Sequence, residues 1–178
     1  MRLSRLSLAL VLLAAVAAAA VVLLGRGPFG TGAPPSDAAM LAHFETQRAG
    51  FEALAAMLAE DRGLRRFGAD WSDPPTPAAA GVTADRLVRY RRLCDRLGIV
   101  SVVNLGDRIT LVHHASGLGI SGSGKSFVRG PAAPWAEVVT GDLDAAARDA
   151  AQAPGGRRRG AILERRIDAD WWLQLDPG

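Results

Sequence analysis

Cysteine is nearly absent from these 178 residues: Cys94 stands alone, so no intramolecular disulfide can form in any compartment. The fold therefore depends on its core. Lysine is equally scarce, with Lys125 the single one among 21 basic residues. The near-balance of charge, +3 overall and +1 without Arg2 and Arg5, gives no electrostatic footprint for nucleic acid. Only three histidines occur, His43, His113 and His114, and no cysteine or acidic cluster lies at ligand spacing beside them. Neighbouring strand residues point to opposite faces, so the His113–His114 pair is not expected to bind one metal. No G-x-S-x-G elbow is present, which removes the α/β type of serine hydrolase.

Charge is also missing from Leu6 to Gly25, twenty residues framed by Arg2 and Arg5 before and Arg26 after. As a helix rising ~1.5 Å per residue, this run spans ~30 Å, the thickness of a bilayer core. The leading arginines keep the N-terminus in the cytoplasm and place the rest outside. Small-residue cleavage sites around Ala18–Ala20 fall inside the run and would leave Val21 to Leu24 exposed, so an uncleaved anchor accounts for the segment better than a signal peptide. The expected organisation is a transmembrane signal anchor over 1–25, a Gly/Pro linker over 26–35, and one exported domain over 36–178. The expected location is the inner membrane, single-pass, with the C-terminal domain in the periplasm.

Within that domain, Ser36 caps a helix predicted from 37 to 62, with Leu41, Phe44, Phe51, Leu54, Ala55 and Leu58 on its apolar face. Thr83 caps a second helix ending at Gly98, in which Leu87, Tyr90, Cys94 and Leu97 share the buried side. Arg89, Arg92 and Arg96 line the other side, a solvated face with Asp85 and Arg89 as an i,i+4 pair. The period then shortens to two. Strands are predicted over 99–104, 108–115 and 118–128, followed by a helix capped by Asp142 and a hairpin from 161–167 to 170–175. The sum is an α+β domain: an antiparallel sheet of about five strands with two N-terminal helices packed on one face, following the N-terminal transmembrane helix.

Gly119 to Ser126 (GISGSGKS) satisfies the phosphate-loop pattern G-x-x-x-x-G-K-[ST] to the letter. A phosphate loop needs a helix directly after it, and Phe127-Val-Arg-Gly-Pro131 reads as strand then turn. The same segment as a strand aligns Ser121, Ser123 and Lys125 on one face. Residues two apart on a strand hold their side chains ~7 Å apart, too far for direct proton transfer between Ser and Lys. These three, with Trp172 of the Trp171–Trp172 pair, form the candidate ligand-binding set, with no catalytic residue, metal or cofactor assigned. Trp171 is expected in the core beside Leu173 and Leu175. Trp172, on the opposite face, needs cover from a helix, a partner or a ligand.

The residues Phe51-Glu-Ala-Leu54, Ala59-Glu-Asp61, Tyr90-Arg-Arg-Leu93, Gly119 to Ser126 and Asp170-Trp-Trp-Leu173 are similar in pattern to a group of small exported, membrane-anchored proteobacterial proteins of unknown function. The resemblance covers about residues 45 to 175; Phe127 falls one position later than the pattern has its aromatic. It implies export and anchoring, and no activity. The expected function is a non-enzymatic, membrane-anchored periplasmic domain that binds an unknown envelope protein or small ligand and no nucleic acid. The alternatives are an envelope hydrolase using Ser121 or Ser123 with Lys125, and a divergent P-loop nucleotide-binding protein.

Overall fold

A computed structural model describes residues 34–116, 122–152 and 161–178, all within one compact unit, Pro34–Gly178. The apolar run 6–25, linker residues 26–33, Ser121 and Arg157–Arg159 lie outside the described residues. No helix among the described residues is long and apolar enough to cross a membrane.

The chain opens with α1 (Asp37–Glu60), then β1 (Arg66–Gly68), β2 (Ser72–Asp73), a 3-10 turn (Pro77–Ala80) and α2 (Ala84–Leu97). It continues with β3 (Ser101–Asn104), β4 (Ile109–Ser116), β5 (Ser123–Arg129), β6 (Glu137–Val139), α3 (Leu143–Gln152), β7 (Leu163–Arg166) and β8 (Trp171–Asp176). The strands form one mixed eight-stranded sheet in the order β2-β1-β3-β4-β5-β8-β7-β6. This corrects the expected antiparallel sheet of about five strands. β2 and β6 have two and three residues, too few to display a period of two. β6 and β7 are parallel, and α3 is the crossover such a pair requires.

Capping sets the helix ends. Ser36 Oγ accepts from Ala39 N at 3.3 Å, and Thr83 Oγ1 accepts from Arg86 N at 3.2 Å. Gly98 closes α2 with φ +65°, the left-handed conformation expected of it. At the far end of α1, the buried Asn104 side chain donates to Leu58 O at 2.8 Å, satisfying a carbonyl the helix leaves open.

The core lies between the helices and one face of the sheet. Phe127 on β5 is flanked by Leu111 on β4 and Leu173 on β8, and all three are fully buried. Phe44 and Phe51 of α1 close over them, with ring centroids of Phe51 and Phe127 4.6 Å apart and of Phe44 and Trp171 5.0 Å apart. Each large apolar side chain so buried contributes roughly 1.5–3 kcal/mol. Gly50 lets α2 approach α1, since a Cβ there would lie 2.9 Å from a Leu97 methyl.

The opposite face is crossed by residues 130–136, a strap joining β5 to β6. Gly130 starts it with φ +118°, where a Cβ would lie 2.2 Å from Asp107 O. Glu164, fully buried on β7, fastens it: Oε2 accepts from Ala133 N at 3.0 Å, while Oε1 accepts from Gln174 Nε2 at 2.9 Å and from Arg108. Arg108 also donates to Pro131 O. The expected cover over Trp172 is therefore supplied by this strap rather than by a helix. The Trp172 indole N–H donates to Gly130 O at 2.9 Å, and the Arg166 guanidinium lies 5.3 Å from its ring centre. Trp171 is in the core with Leu173 and Leu175, as the alternation requires.

Candidate functional site

Lys125 is the centre of a buried ion cluster. Its position on β5 places it on the helix-facing side, two residues from Phe127, under the N-termini of α1 and α3. Its Nζ donates to Asp37 Oδ1 at 2.8 Å, to Asp144 Oδ2 at 2.6 Å and to Pro35 O at 2.9 Å. An ammonium has three N–H donors, and all three are used. Asp37 is 1% exposed, and its Oδ2 accepts from Leu143 N at 2.7 Å and Arg165 Nη1 at 3.4 Å. Its carboxylate thus caps α3 as well as meeting two cations, where the helix dipole favours negative charge. Two cations, Lys125 and Arg165, thus face the carboxylates of Asp37 and Asp144.

Asp37, Asp142 and Asp144 each bring one carboxylate oxygen within 4.8 Å of the others. Two of the three are already bonded to the Lys125 ammonium, which occupies the place of a bound cation. Asp142 serves elsewhere, its Oδ1 accepting from Ala145 N at 2.8 Å as the cap of α3.

The GISGSGKS segment is not followed by a helix: β5 runs without interruption from Ser123 to Arg129, carrying Lys125 and Ser126 in mid-strand. Lys125 and Ser126 point to opposite faces of the sheet, unlike the convergent pair of a phosphate loop. Ser123 Oγ is hydrogen-bonded to Ser116 Oγ across the β4–β5 ladder at 2.7 Å, and Lys125 is engaged with its carboxylates. Trp172 belongs to the face opposite Lys125. The described members of the expected ligand-binding set, Ser123, Lys125 and Trp172, therefore do not converge on one site; Ser121 lies outside the described residues.

The histidines hold what sequence reasoning missed. β4 carries a bulge between Val112 and His114, so His113 has no partner on β5 while His114 pairs with Lys125. The bulge breaks the alternation, and both histidines share the helix-facing side. His113 stacks 5.3 Å from His43 of α1, whose Nε2 lies 3.0 Å from Leu97 O at the end of α2. His113 Nδ1 and His114 Nε2 are buried without a hydrogen-bond partner among the described residues. Burial, reinforced by the charge of His43, lowers the His113 pKa below its ordinary 6.5.

A histidine with a lowered folded-state pKa binds fewer protons folded than unfolded near pH 6.5. Stability then declines as pH falls through 6.5 toward the folded value, and is unaffected by His113 above it. Melting temperatures taken from pH 8 to pH 5 are expected to fall on the acid side, and His113→Gln is expected to flatten that slope. An identical slope in the variant would remove His113 as its source.

Cys94 is buried in α2 and its thiol is pushed up to about 12 by burial, so it is a packing residue as expected. Along the outer side of the same helix, Arg89, Arg92 and Arg96 are exposed. The expected Asp85–Arg89 pair does not form, and none of these three arginines contacts a carboxylate among the described residues. On the far side of the sheet, Trp135 on the strap is 65% exposed and Val138 on β6 is 53% exposed.

No family model, no curated protein and no solved structure matches this chain, so the pattern resemblance to exported proteins gains no support from them.

Proposed function

We propose that this chain is a membrane-anchored envelope protein whose periplasmic domain is a non-catalytic binding module, meeting a partner through the strap and β6 on the face away from the helices. The observation that supports this is the exposure of Trp135 and Val138 three residues apart, two large apolar side chains at the border of a sheet face that no helix among the described residues covers. Aromatic anchors of this kind are enriched at binding surfaces. The placement rests on the uncharged run 6–25 with its flanking arginines. Against catalysis by Lys125 stands its donor count, since an ammonium bonded to three acceptors has no proton-transfer partner to spare.

The test has two parts. A reporter that matures only outside the cytoplasm, fused after Gly178, is expected to be active; activity confined to a cytoplasmic reporter would remove the placement. A photo-crosslinking residue in place of Trp135 is expected to give a discrete adduct in membranes, with none from the exposed position Gln47 on α1. Equal labelling from both positions would remove the strap as the binding surface.

A further inference from the structure

We infer that the partner met at the strap and β6, the binding surface proposed above and the premise here, is a second copy of this chain. The two β6 strands join antiparallel about a two-fold axis through Val138. β6 (Glu137–Val139) closes one end of the eight-stranded sheet, with β7 on one side and no strand on the other among the described residues. In its parallel register Glu137 is level with Leu163, and Glu137 N donates to Ile162 O at 2.9 Å. Backbone groups alternate sides along a strand, so Glu137 and Val139 turn toward β7 while the N–H and C=O of Val138 turn away from it.

An outward donor and acceptor on an exposed residue are a template for another strand. The opposite end of the sheet is guarded: β2 has two residues, Ser72 and Asp73, and Pro74 and Pro75 follow it directly. β6 holds neither proline nor lysine, and Val138 is 53% exposed.

Self-complementarity argues for a second copy. The outward donor and acceptor belong to one residue, so a two-fold through it sets each Val138 N–H against the C=O of Val138 of the partner subunit, and both copies are satisfied alike. In that register Glu137 stands opposite Val139 of the partner subunit and Asp142 opposite Pro134 of the partner subunit, so no acid meets an acid across the join. Trp135 comes level with Gly141 of the partner subunit. A Cβ on Gly141 would meet nothing within 4 Å, which leaves room there for an indole. An unrelated extended segment would meet the Val138 groups equally but leaves the match of Trp135 with Gly141 without a role.

The same axis suits anchoring. It stands perpendicular to the joined sheet, so both helical layers lie on one side. Pro35 O bonds Lys125 Nζ on that side. Each chain therefore enters its domain from the same face, as two copies held in one membrane require. An edge of three residues makes few hydrogen bonds, and confinement of both copies to one bilayer raises their effective concentration to match.

The purified full chain in phosphatidylcholine vesicles, with a photo-crosslinking residue in place of Trp135, is expected to give an adduct of twice 18.7 kDa. Val138→Pro removes the outward N–H, which β7 does not use, and Val138→Lys sets like charges opposite each other. Each is expected to cut the adduct by about ten-fold or more with the circular dichroism of the parent retained. If Val138→Pro changes that spectrum, Val138→Lys decides alone. Val138→Cys is expected to form a disulfide-linked dimer under mild oxidation, whereas the parent, with only the buried Cys94, and Gln47→Cys are expected to form none. Absence of the two-chain adduct, or an adduct undiminished in the Val138 variants, overturns the second copy. Crosslinking in native membranes separates this result from the fate of the binding surface. An adduct of Trp135 with a different protein, and none of two chains, keeps the surface and overturns the second copy; no adduct of any kind removes both.

Discussion

Lys125→Met is expected to lower stability by about 3–5 kcal/mol, the cost of leaving one partner of a buried ion pair without the other. In a domain of this size that corresponds to a fall in Tm of roughly 10 °C or more. Most of the loss is assigned to Asp37, at 1% exposure, because Asp144 keeps a quarter of its side chain in solvent and can recover hydration. Lys125→Met/Asp37→Asn is expected to be more stable than Lys125→Met alone, since the second change removes a buried charge that has lost its nearer cation and keeps the longer 3.4 Å contact to Arg165, while leaving an oxygen for Leu143 N. Thermal and urea melts of the three proteins decide it. A single variant within about 1 kcal/mol of the parent would mean that the cluster contributes little to the fold.

The second large effect is expected at the strap. Arg108→Met strands Glu164, which is fully buried, and frees Pro131 O. Glu164 retains Ala133 N and Gln174, so the loss is expected at the lower end of the same range, about 3 kcal/mol. Its signature differs from that of Lys125→Met, because the strap covers Trp172. In Arg108→Met, acrylamide is expected to quench Trp172 before global unfolding begins; in Lys125→Met, quenching should coincide with it. Arg108→Met/Glu164→Gln is expected to restore part of the stability. Quenching that never precedes unfolding would show that the strap has no independent opening.

Much of this architecture could be read in advance, for identifiable reasons. α1 and α2 carry long apolar periods with Ser36, Thr83 and Gly98 at their ends, signals that are local and survive folding unchanged. β4, β5 and β8 run for six to eight residues, long enough to be read as strands although burial on both faces and the β4 bulge blur their alternation. β2 and β6 are too brief to alternate, and their pairing follows from where longer neighbours put them. Lys125 was harder. Asp37 and Asp144 each sit in the first turn of a helix, where a carboxylate has a sufficient local reason in the helix dipole. Their meeting at Lys125 spans 88 and 19 residues of sequence, and no local pattern records it. The His113 bulge is similar, since one unpaired residue reverses an inference that strict alternation would make secure.

The Pro35 carbonyl bonded to Lys125 bears on how the domain responds to tension. A helix pulled from its first residue ordinarily peels turn by turn. Here a pull on the chain ahead of Pro34 meets Lys125 within two residues, and Lys125 belongs to β5, bonded to strands on both sides. The load passes to the Lys125 cluster, where the bonds to Pro35, Asp37 and Asp144 must yield together. α1 is spared, and the first event under force should be abrupt rather than gradual.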